Sequence, residues 1–243
     1  MKVLGVIPAR LTSTRLPGKV LLDIAGKPML QWVYENAVRS TRLTELVVAT
    51  ENEEIERWCR RTGIPVTLTA RHPSGADRLH EVLSRTDAAV YVNIQGDEPT
   101  VRPEHIDLLL RPLLSDEAVQ VTTLKVAIDP ESAQDPDNVK VVTADDGRAL
   151  YFSRWPIPYD QGKNESVQYY KHLGLYAYRR DALERFHSLP RSPLERAERL
   201  EQLRFLQNGV PIYVLETPYD AIGVDTEADL QRVCELFNLS HPG

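Results

Sequence analysis

The chain has 243 residues, of which 42% are hydrophobic and 26% are charged, and its formal net charge is -6 at pH 7. A chain of this length buries enough surface to fold without disulfides or a structural metal, and its acidic balance argues against a general nucleic-acid-binding protein. The apolar run at the start is too short for a secretory signal, and no stretch approaches the ~20 apolar residues that cross a bilayer, so we expect a cytoplasmic protein.

Four apolar runs in the first half have the composition of strands that are buried on both faces. They cover 3–7, 45–50, 65–69 and 88–94. Segments with helical spacing of their apolar residues separate them, at 28–38, 52–61 and 76–85. Buried strands that alternate with helices predict a mostly parallel sheet with helices on both sides, the doubly wound α/β architecture.

After Pro112 the pattern changes to strand-like runs with few helices between them. These runs cover 119–128, 139–147, 148–154, 172–178 and 211–215. The Asp146–Gly147 pair between two of them predicts a hairpin turn. We therefore expect a strand-rich excursion built onto the parallel sheet.

Two helices are predicted in the second half. The segment 194–206 reads as one amphipathic helix with a Glu195–Arg199 ion pair on its surface. Its inward stripe is Leu194, Ala197, Leu200, Leu203 and Leu206. A closing helix covers 226–237, and either Thr226 or Asp225 caps its start.

The two cysteines lie in predicted helices far apart in the sequence. Cys59 and Cys234 form no CxxC pair and show no metal-ligand spacing. We predict that both are buried free thiols in a reducing compartment.

A cluster of cations follows the first predicted strand. Arg10, Arg15 and Lys19 lie within ten residues, and Ser13 and Gly18 stand between them. Small residues let the backbone approach a ligand, hydroxyls donate hydrogen bonds, and cations balance polyphosphate charge. In an open α/β sheet this loop lies at the carboxyl edge of a strand, where ligands bind. The alternative is a solvent-exposed basic loop, and the segment matches neither the Walker loop nor GxGxxG.

Two aspartates far apart in the sequence are candidate metal ligands. Asp97 follows Gly96 in a turn after the fourth predicted strand, and Mg²⁺ prefers one or two carboxylates with substrate phosphates and water. Pro99 and Pro103 delay the next helix, which disfavours a capping role for this aspartate. Asp225 precedes the last helix and is equally suited to capping it, so the residues alone leave its role open.

Seven segments, in this order along the chain, resemble the sugar nucleotidyltransferase superfamily in the form of the 3-deoxy-manno-octulosonate cytidylyltransferases. They are PARLTSTRLPGK (8–19), HPSGADR (72–78), NIQGDEP (93–99), ALYFSR (149–154), YKHLGLYAYR (170–179), SPLERAERLEQLRFLQNG (192–209) and GVDTEADL (223–230). The resemblance implies a Rossmann-like nucleotidyltransferase domain over 1–243. Residues 1–112 would form mainly the CTP-binding half, and 113–243 mainly the half for acceptor binding and dimerisation.

The resemblance also implies the residues that bind CTP. Arg10, Ser13 and Lys19 would contact the phosphates, while Arg78 and Gln95 would help to hold the nucleotide. Backbone groups of Pro8 and Ala9 and the Ser74–Gly75 turn would lie against the cytosine. The predicted nucleotide-binding set is Pro8, Ala9, Arg10, Ser13, Arg15, Lys19, Ser74, Gly75, Arg78 and Gln95. The family usually has Thr at position 76, so Ala76 lacks one hydroxyl.

For the metal, the resemblance favours Asp97 and Asp225 as ligands of Mg²⁺, with Glu98 as a neighbour. The implied catalytic residues are Arg10, Lys19, Asp97 and Asp225. An acidic sugar needs a cation for its carboxylate and hydrogen-bonding groups for its hydroxyls. The positions that match the family's acceptor pocket are Arg154, His172, Tyr176, Glu201 and Gln202, although His172 read alone is an ordinary strand histidine.

The implied reaction joins CTP to the anomeric hydroxyl of 3-deoxy-D-manno-octulosonate and releases pyrophosphate. The enzyme would be a homodimer that acts on two small molecules and binds neither nucleic acid nor membrane. One alternative is transfer of CMP to another acid sugar, an 8-amino analogue or a sialic acid. An alternative of another class is a nucleotide-binding protein without catalysis.

Overall fold

The structure, a computed structural model, describes residues 1–13, 15–72, 75–162 and 167–240. The chain divides into two compact units, one formed by Met1–Asp107 with Asp220–Gly243 and the other by Leu108–Tyr219. The closing segment therefore belongs with the first unit, although it is remote from it in sequence. The prediction that the whole chain acts as one domain stays a prediction.

The first unit contains four parallel strands with helices between them. The strands are β1 (Val3–Pro8), β4 (Glu45–Thr50), β5 (Val66–Leu68) and β6 (Val90–Asn93), hydrogen-bonded in the order β6–β1–β4–β5. The helices are α1 (Met29–Ala37), α2 (Glu53–Thr62), α3 (Gly75–Ser84), the start of α4 (Pro103–Ser115) and α8 (Glu227–Ser240). A short antiparallel pair, β2 (Asp23–Ile24) and β3 (Lys27–Pro28), precedes α1.

Burial explains why these apolar runs form central strands. The residues of β1 are buried except for its last, and β6 is buried throughout. A strand that is apolar on both faces requires cover on both sides, which the alternating helices supply. The predicted doubly wound α/β class is confirmed, and β4 has the predicted bounds.

A hydrophobic cluster joins the start and the end of the first unit. Trp32 of α1 and Phe237 of α8 pack edge to face with ring centroids 4.5 Å apart. Val224 is fully buried in the same cluster. This packing fixes the backbone beside Asp225, a candidate metal ligand.

The second unit is largely antiparallel. Its strands are β7 (Val121–Ile128), β8 (Lys140–Thr143), β9 (Ala149–Ser153), β10 (Tyr169–Arg179) and β11 (Tyr213–Glu216). The antiparallel pairs are β7–β10, β8–β10 and β8–β9, whereas β11 runs parallel to β7. Its helices are α5 (Arg180–Ser188), α6 (Pro193–Glu198) and α7 (Leu203–Gln207). Helix α5 was not among the predicted elements.

The predicted hairpin at Asp146–Gly147 is confirmed. Gly147 has φ 83°, a conformation that favours glycine. The amide of Ala144 donates to the carbonyl of Arg148 at 2.8 Å and closes the turn between β8 and β9.

The prediction of one helix over 194–206 is wrong. Helix α6 ends at Glu198, and Arg199 follows it in a left-handed conformation with φ 55°, which costs a residue with a Cβ about 1–2 kcal/mol. Glu195 pairs with Arg204 at 2.5 Å rather than with Arg199, and both partners are buried. In the predicted stripe Leu200 and Leu203 are buried, Leu194 and Leu206 are half-buried, and Ala197 is exposed.

Both cysteines are free, but they differ in burial. Cys59 is buried, and burial raises the pKa of its thiol to about 11. Cys234 is only half-buried, so the prediction of a buried thiol is wrong at this position. In the part of the chain that the structure describes, no helix is long and apolar enough to span a membrane.

Candidate functional site

A cleft of about 460 Å³ opens in the first unit. It lies where β1 and β6 end, at the carboxyl edge of the parallel sheet, the usual place for ligands in this architecture. Its walls are the loop after β1, the start of α3 with the loop before it, the turn after β6 and the segment before α8. The lining residues are Pro8, Ala9, Arg10, Thr12, Ser13, Arg15, Lys19, Val20, His72, Gly75, Arg78, Gln95, Gly96, Asp97 and Asp225.

Two carboxylates meet in this cleft at the ammonium of Lys19. Its Nζ lies 2.5 Å from Oδ2 of Asp97 and 2.7 Å from Oδ1 of Asp225, and it donates to the carbonyl of Val224 at 2.9 Å. Arg15 donates to the other oxygen of Asp225 at 2.7 Å. Burial alone would lower the pKa of Lys19, but the two carboxylates outweigh it and the pKa is raised. The two aspartates predicted as metal ligands therefore converge on one cationic atom.

The position of Asp97 depends on the glycine before it. A Cβ on Gly96 would lie 2.8 Å from the carbonyl oxygen of Pro8, so only glycine permits this close approach. The carbonyl of Asp97 also accepts from the amide of Val224 at 2.9 Å. This backbone bond holds the turn after β6 against the segment before α8.

The cap of α8 is formed by Thr226 and not by Asp225, the other cap that the sequence left open. The hydroxyl of Thr226 accepts from the amide of Asp229 at 3.2 Å, and Oδ2 of Asp229 accepts from the amide of Thr226 at 2.9 Å. This reciprocal arrangement is a capping box with Thr226 as the N-cap. The carboxylate of Asp225 points instead to Lys19 and Arg15.

Nine of the ten predicted nucleotide-binding residues line the cleft. The tenth, Ser74, lies outside the described residues. The structure adds Thr12, Val20, His72 and Gly96 to the walls. His72 opens the HPSGADR segment, and its Nε2 lies 2.5 Å from Oε2 of Glu81. A contact between helix α3 and the loop before it could not be found from sequence spacing alone.

Arg78 lines the cleft but is buried and has protein partners. It forms an ion pair with Glu51 and donates to the hydroxyl of Thr69 at 2.7 Å. These contacts hold α3 against the ends of β4 and β5. A contact of Arg78 with nucleotide stays a prediction.

The predicted acceptor-binding residues all lie in the second unit. His172 and Tyr176 are neighbours on β10, with ring centroids 5.3 Å apart. Burial, and then the charge of Lys171, lowers the pKa of His172 to about 3, so its ring is neutral at ordinary pH. Its Nε2 lies 3.0 Å from the hydroxyl of Thr123.

Tyr176 carries a buried hydroxyl for which no hydrogen-bond partner is found among the described residues. Burial raises the pKa of this phenol well above its usual range, and the neighbouring Tyr178 adds to the rise. Gln202 is also buried, and it is the N-cap residue of α7.

Arg154 follows β9 and is held by several backbone contacts. Its Nε donates to the carbonyl of Glu198 at 2.9 Å, and its Nη1 donates to the carbonyl of Pro136 at 2.9 Å. The side chain remains 37% exposed, so part of the guanidinium faces solvent.

The chain is similar to known proteins over nearly its whole length. A family model described as cytidylyltransferase matches residues 4–212. A 3-deoxy-manno-octulosonate cytidylyltransferase of Koribacter versatilis is 55% identical over 98% of this chain and 90% of its own length. One of Escherichia coli is 46% identical over 97% of this chain and 96% of its own length. A solved structure of CMP:2-keto-3-deoxy-manno-octonic acid synthetase complexed with CTP is 45% identical, with a TM-score of 0.96, over 99% of this chain and all of the other.

Proposed function

The chain belongs to the 3-deoxy-manno-octulosonate cytidylyltransferase family, and on this premise we propose that it transfers CMP from CTP to the anomeric hydroxyl of 3-deoxy-D-manno-octulosonate and releases pyrophosphate. One observation of the molecule carries the proposal more than any other. Asp97 and Asp225 meet at a single cation within a cleft that Arg10 and Arg15 also line. This arrangement suits a triphosphate with a divalent ion.

The donor set fits Mg²⁺. The ammonium of Lys19 contacts both carboxylates, so Asp97 and Asp225 lie close enough together to be the residues that would hold a divalent cation. The described residues contain no cluster of three or more His, Cys, Asp or Glu that could hold a metal. Two carboxylates are nevertheless sufficient, since Mg²⁺ takes its other ligands from substrate phosphates and water. Bound there, the ion would neutralise charge on the α-phosphate and the leaving group.

The chain's own cations would perform the rest of the phosphate chemistry. We assign Arg10 and Lys19 to the oxygens of the triphosphate, where they stabilise the charge that develops as pyrophosphate leaves. Lys19 exchanges its carboxylate partners for phosphate oxygens in this assignment. Arg15 neutralises Asp225 on the side away from Lys19.

The acceptor would bind the neutral groups of the second unit. His172 stays uncharged because it is buried, so its ring can only donate or accept hydrogen bonds. The unpartnered hydroxyl of Tyr176 can bond a sugar hydroxyl, and Arg154 supplies a cation for the sugar carboxylate. The anomeric hydroxyl would then attack the α-phosphorus in line with the departing pyrophosphate.

We further propose a homodimer formed through the second unit, and a cytoplasmic location where CTP is available. Three large side chains on and after β9 support the dimer: Leu150, Trp155 and Tyr159 are 62%, 76% and 79% exposed. Exposed aromatic side chains close in sequence are typical of protein interfaces. Sedimentation of the wild type and of Trp155→Glu tests this surface, and a wild-type monomer would contradict it.

Pyrophosphate release with CTP, Mg²⁺ and 3-deoxy-D-manno-octulosonate tests the reaction. We expect turnover with this pair and little with UTP. Turnover only with an 8-amino analogue or a sialic acid would identify another acceptor. Binding of CTP without pyrophosphate release from any sugar would indicate a non-catalytic nucleotide-binding protein.

A further inference from the structure

The carboxylate of Glu198 holds the end of β9 in place. Its Oε1 accepts from the hydroxyl of Ser153 at 2.7 Å, and its Oε2 accepts from the amide of Arg154 at 2.9 Å. The hydroxyl of Ser153 in turn accepts from the amide of Trp155 at 3.0 Å. One side chain therefore fixes three consecutive backbone positions around the arginine.

The same residue also fixes the side chain of Arg154. The carbonyl of Glu198 accepts from Nε at 2.9 Å, and the carbonyl of Pro136 accepts from Nη1 at 2.9 Å. The fully buried ammonium of Lys140 donates to the carbonyl of Arg154 at 2.6 Å. Among the described residues, no hydrogen-bond partner of Nη2 is found. The contacts thus orient the guanidinium and leave one of its nitrogens available.

The break after α6 makes the carbonyl of Glu198 available for this contact. In a continuous helix that carbonyl would accept from the amide of Gln202, four residues ahead. Arg199 adopts φ 55° instead and turns the chain out of the helix. The strained residue and the hydrogen bond to Nε are therefore parts of one arrangement.

We propose that Glu198 is a positioning residue for the acceptor, which acts by aiming Nη2 of Arg154 at the carboxylate of the sugar acid. This inference rests on the proposed function, because that function supplies the sugar acid. Glu198 does not touch substrate in this assignment. Its effect is confined to the orientation of the cation.

Glu198→Gln tests the proposal. The amide keeps the size of the side chain but removes its charge, so the bonds to Ser153 and to the amide of Arg154 are no longer charge-assisted. We expect KM for the sugar acid to rise about tenfold or more, while KM for CTP changes less than about twofold, since loss of a charge-assisted hydrogen bond has an effect of this order.

A substrate variant separates positioning from general damage. With the C1 carboxamide of the sugar in place of the carboxylate, Glu198→Gln should raise KM much less, because the amide oxygen can accept from Arg154 but carries no charge for it to bind. An equal rise in KM for acid and amide, or an equal rise for CTP, would overturn the proposal.

Glu195→Gln is the matched control. It removes a buried carboxylate from the same helix, where Glu195 pairs with Arg204. We expect this variant to unfold at a lower temperature without a selective change in KM for the sugar acid. A selective rise in KM for the sugar acid in Glu195→Gln, as large as the rise in Glu198→Gln, would contradict the proposal.

Ser153→Ala keeps the proposal testable if Glu198→Gln fails to fold. It removes one of the two bonds to the carboxylate and should raise KM for the sugar acid less than Glu198→Gln, with the same selectivity. A folded Ser153→Ala with unchanged KM would overturn the proposal in that case. A wild type inactive with CTP and the sugar acid would instead refute the proposed function.

Discussion

The two candidate binding regions differ in the charge of the side chains that form them. The cleft of the first unit is lined by charged side chains that neutralise one another, with Lys19 shared between Asp97 and Asp225. The predicted acceptor residues of the second unit include two buried groups without charge, His172 and Tyr176, together with the charged Arg154 and Glu201. A polyanion can exchange partners with ion pairs, whereas a polyhydroxylated sugar requires neutral donors and acceptors. The partners that each region provides for its own polar groups thus suit the ligand proposed for that region.

Asp97→Asn should give the largest effect, because it removes a carboxylate from the charged cleft of the first unit. We expect kcat to fall on the order of 10³-fold, since a neutral amide is a much weaker ligand than a carboxylate for the proposed Mg²⁺. Pyrophosphate release measures the loss, and circular dichroism checks the fold. Asp146→Asn, the same substitution in an exposed hairpin, is the control. Near-normal turnover of Asp97→Asn would show that the reaction does not require this carboxylate.

Lys19→Met sharpens the comparison by removing the shared cation. Turnover should fall about 10²-fold because a phosphate partner is lost. The affinity of the nucleotide-free protein for Mn²⁺ should rise about tenfold, because Asp97 and Asp225 then lack their internal cation. Calorimetric titration with Mn²⁺ measures this.

The matched control for Lys19→Met is Lys27→Met, which removes a lysine paired with Glu35 outside the cleft. It should leave both turnover and Mn²⁺ affinity unchanged. Unchanged or weaker Mn²⁺ binding by Lys19→Met would show that the ammonium does not compete with a metal for these carboxylates.

His172→Gln tests the neutral character of the second region through stability. The unfolded chain protonates this histidine below pH 6.5, but the folded protein resists protonation until about pH 3. Between these values the unfolded state binds more protons, so acidification lowers the free energy of unfolding, by at most about 1.4 kcal/mol per pH unit. The variant should lose less stability than wild type between pH 7 and pH 5.

Urea unfolding at the two pH values measures this difference. His187→Gln is the control, because His187 is exposed on α5 and its removal should not flatten the pH dependence. An identical loss of stability in wild type and His172→Gln would show that His172 is not held neutral by burial.

The same contrast explains what the sequence could predict. Asp97 and Lys19 follow strand ends, and the carboxyl edge of a parallel sheet collects such residues, so their meeting in the cleft could be anticipated. Glu198 and Arg199 could not be read in this way. The apolar spacing around them predicts one continuous helix. The observed chain leaves the helix after Glu198, where Glu195 pairs with Arg204 and the carbonyl of Glu198 accepts from Arg154. These are tertiary contacts, which override local propensity.

The smallest effect separates two residues that the sequence could not distinguish, Asp225 and Thr226. Thr226→Ala removes the capping hydroxyl of α8 and should lower the free energy of unfolding by about 1 kcal/mol, while Thr226→Ser should retain most of it. Asp225→Ala should cost less stability, since its carboxylate serves the partly exposed pairs with Lys19 and Arg15 rather than the helix. Urea unfolding of the three variants checks this order. A larger loss from Asp225→Ala than from Thr226→Ala would contradict the assignment of Thr226 as the cap, and the proposed metal site would then rest on Asp97 alone.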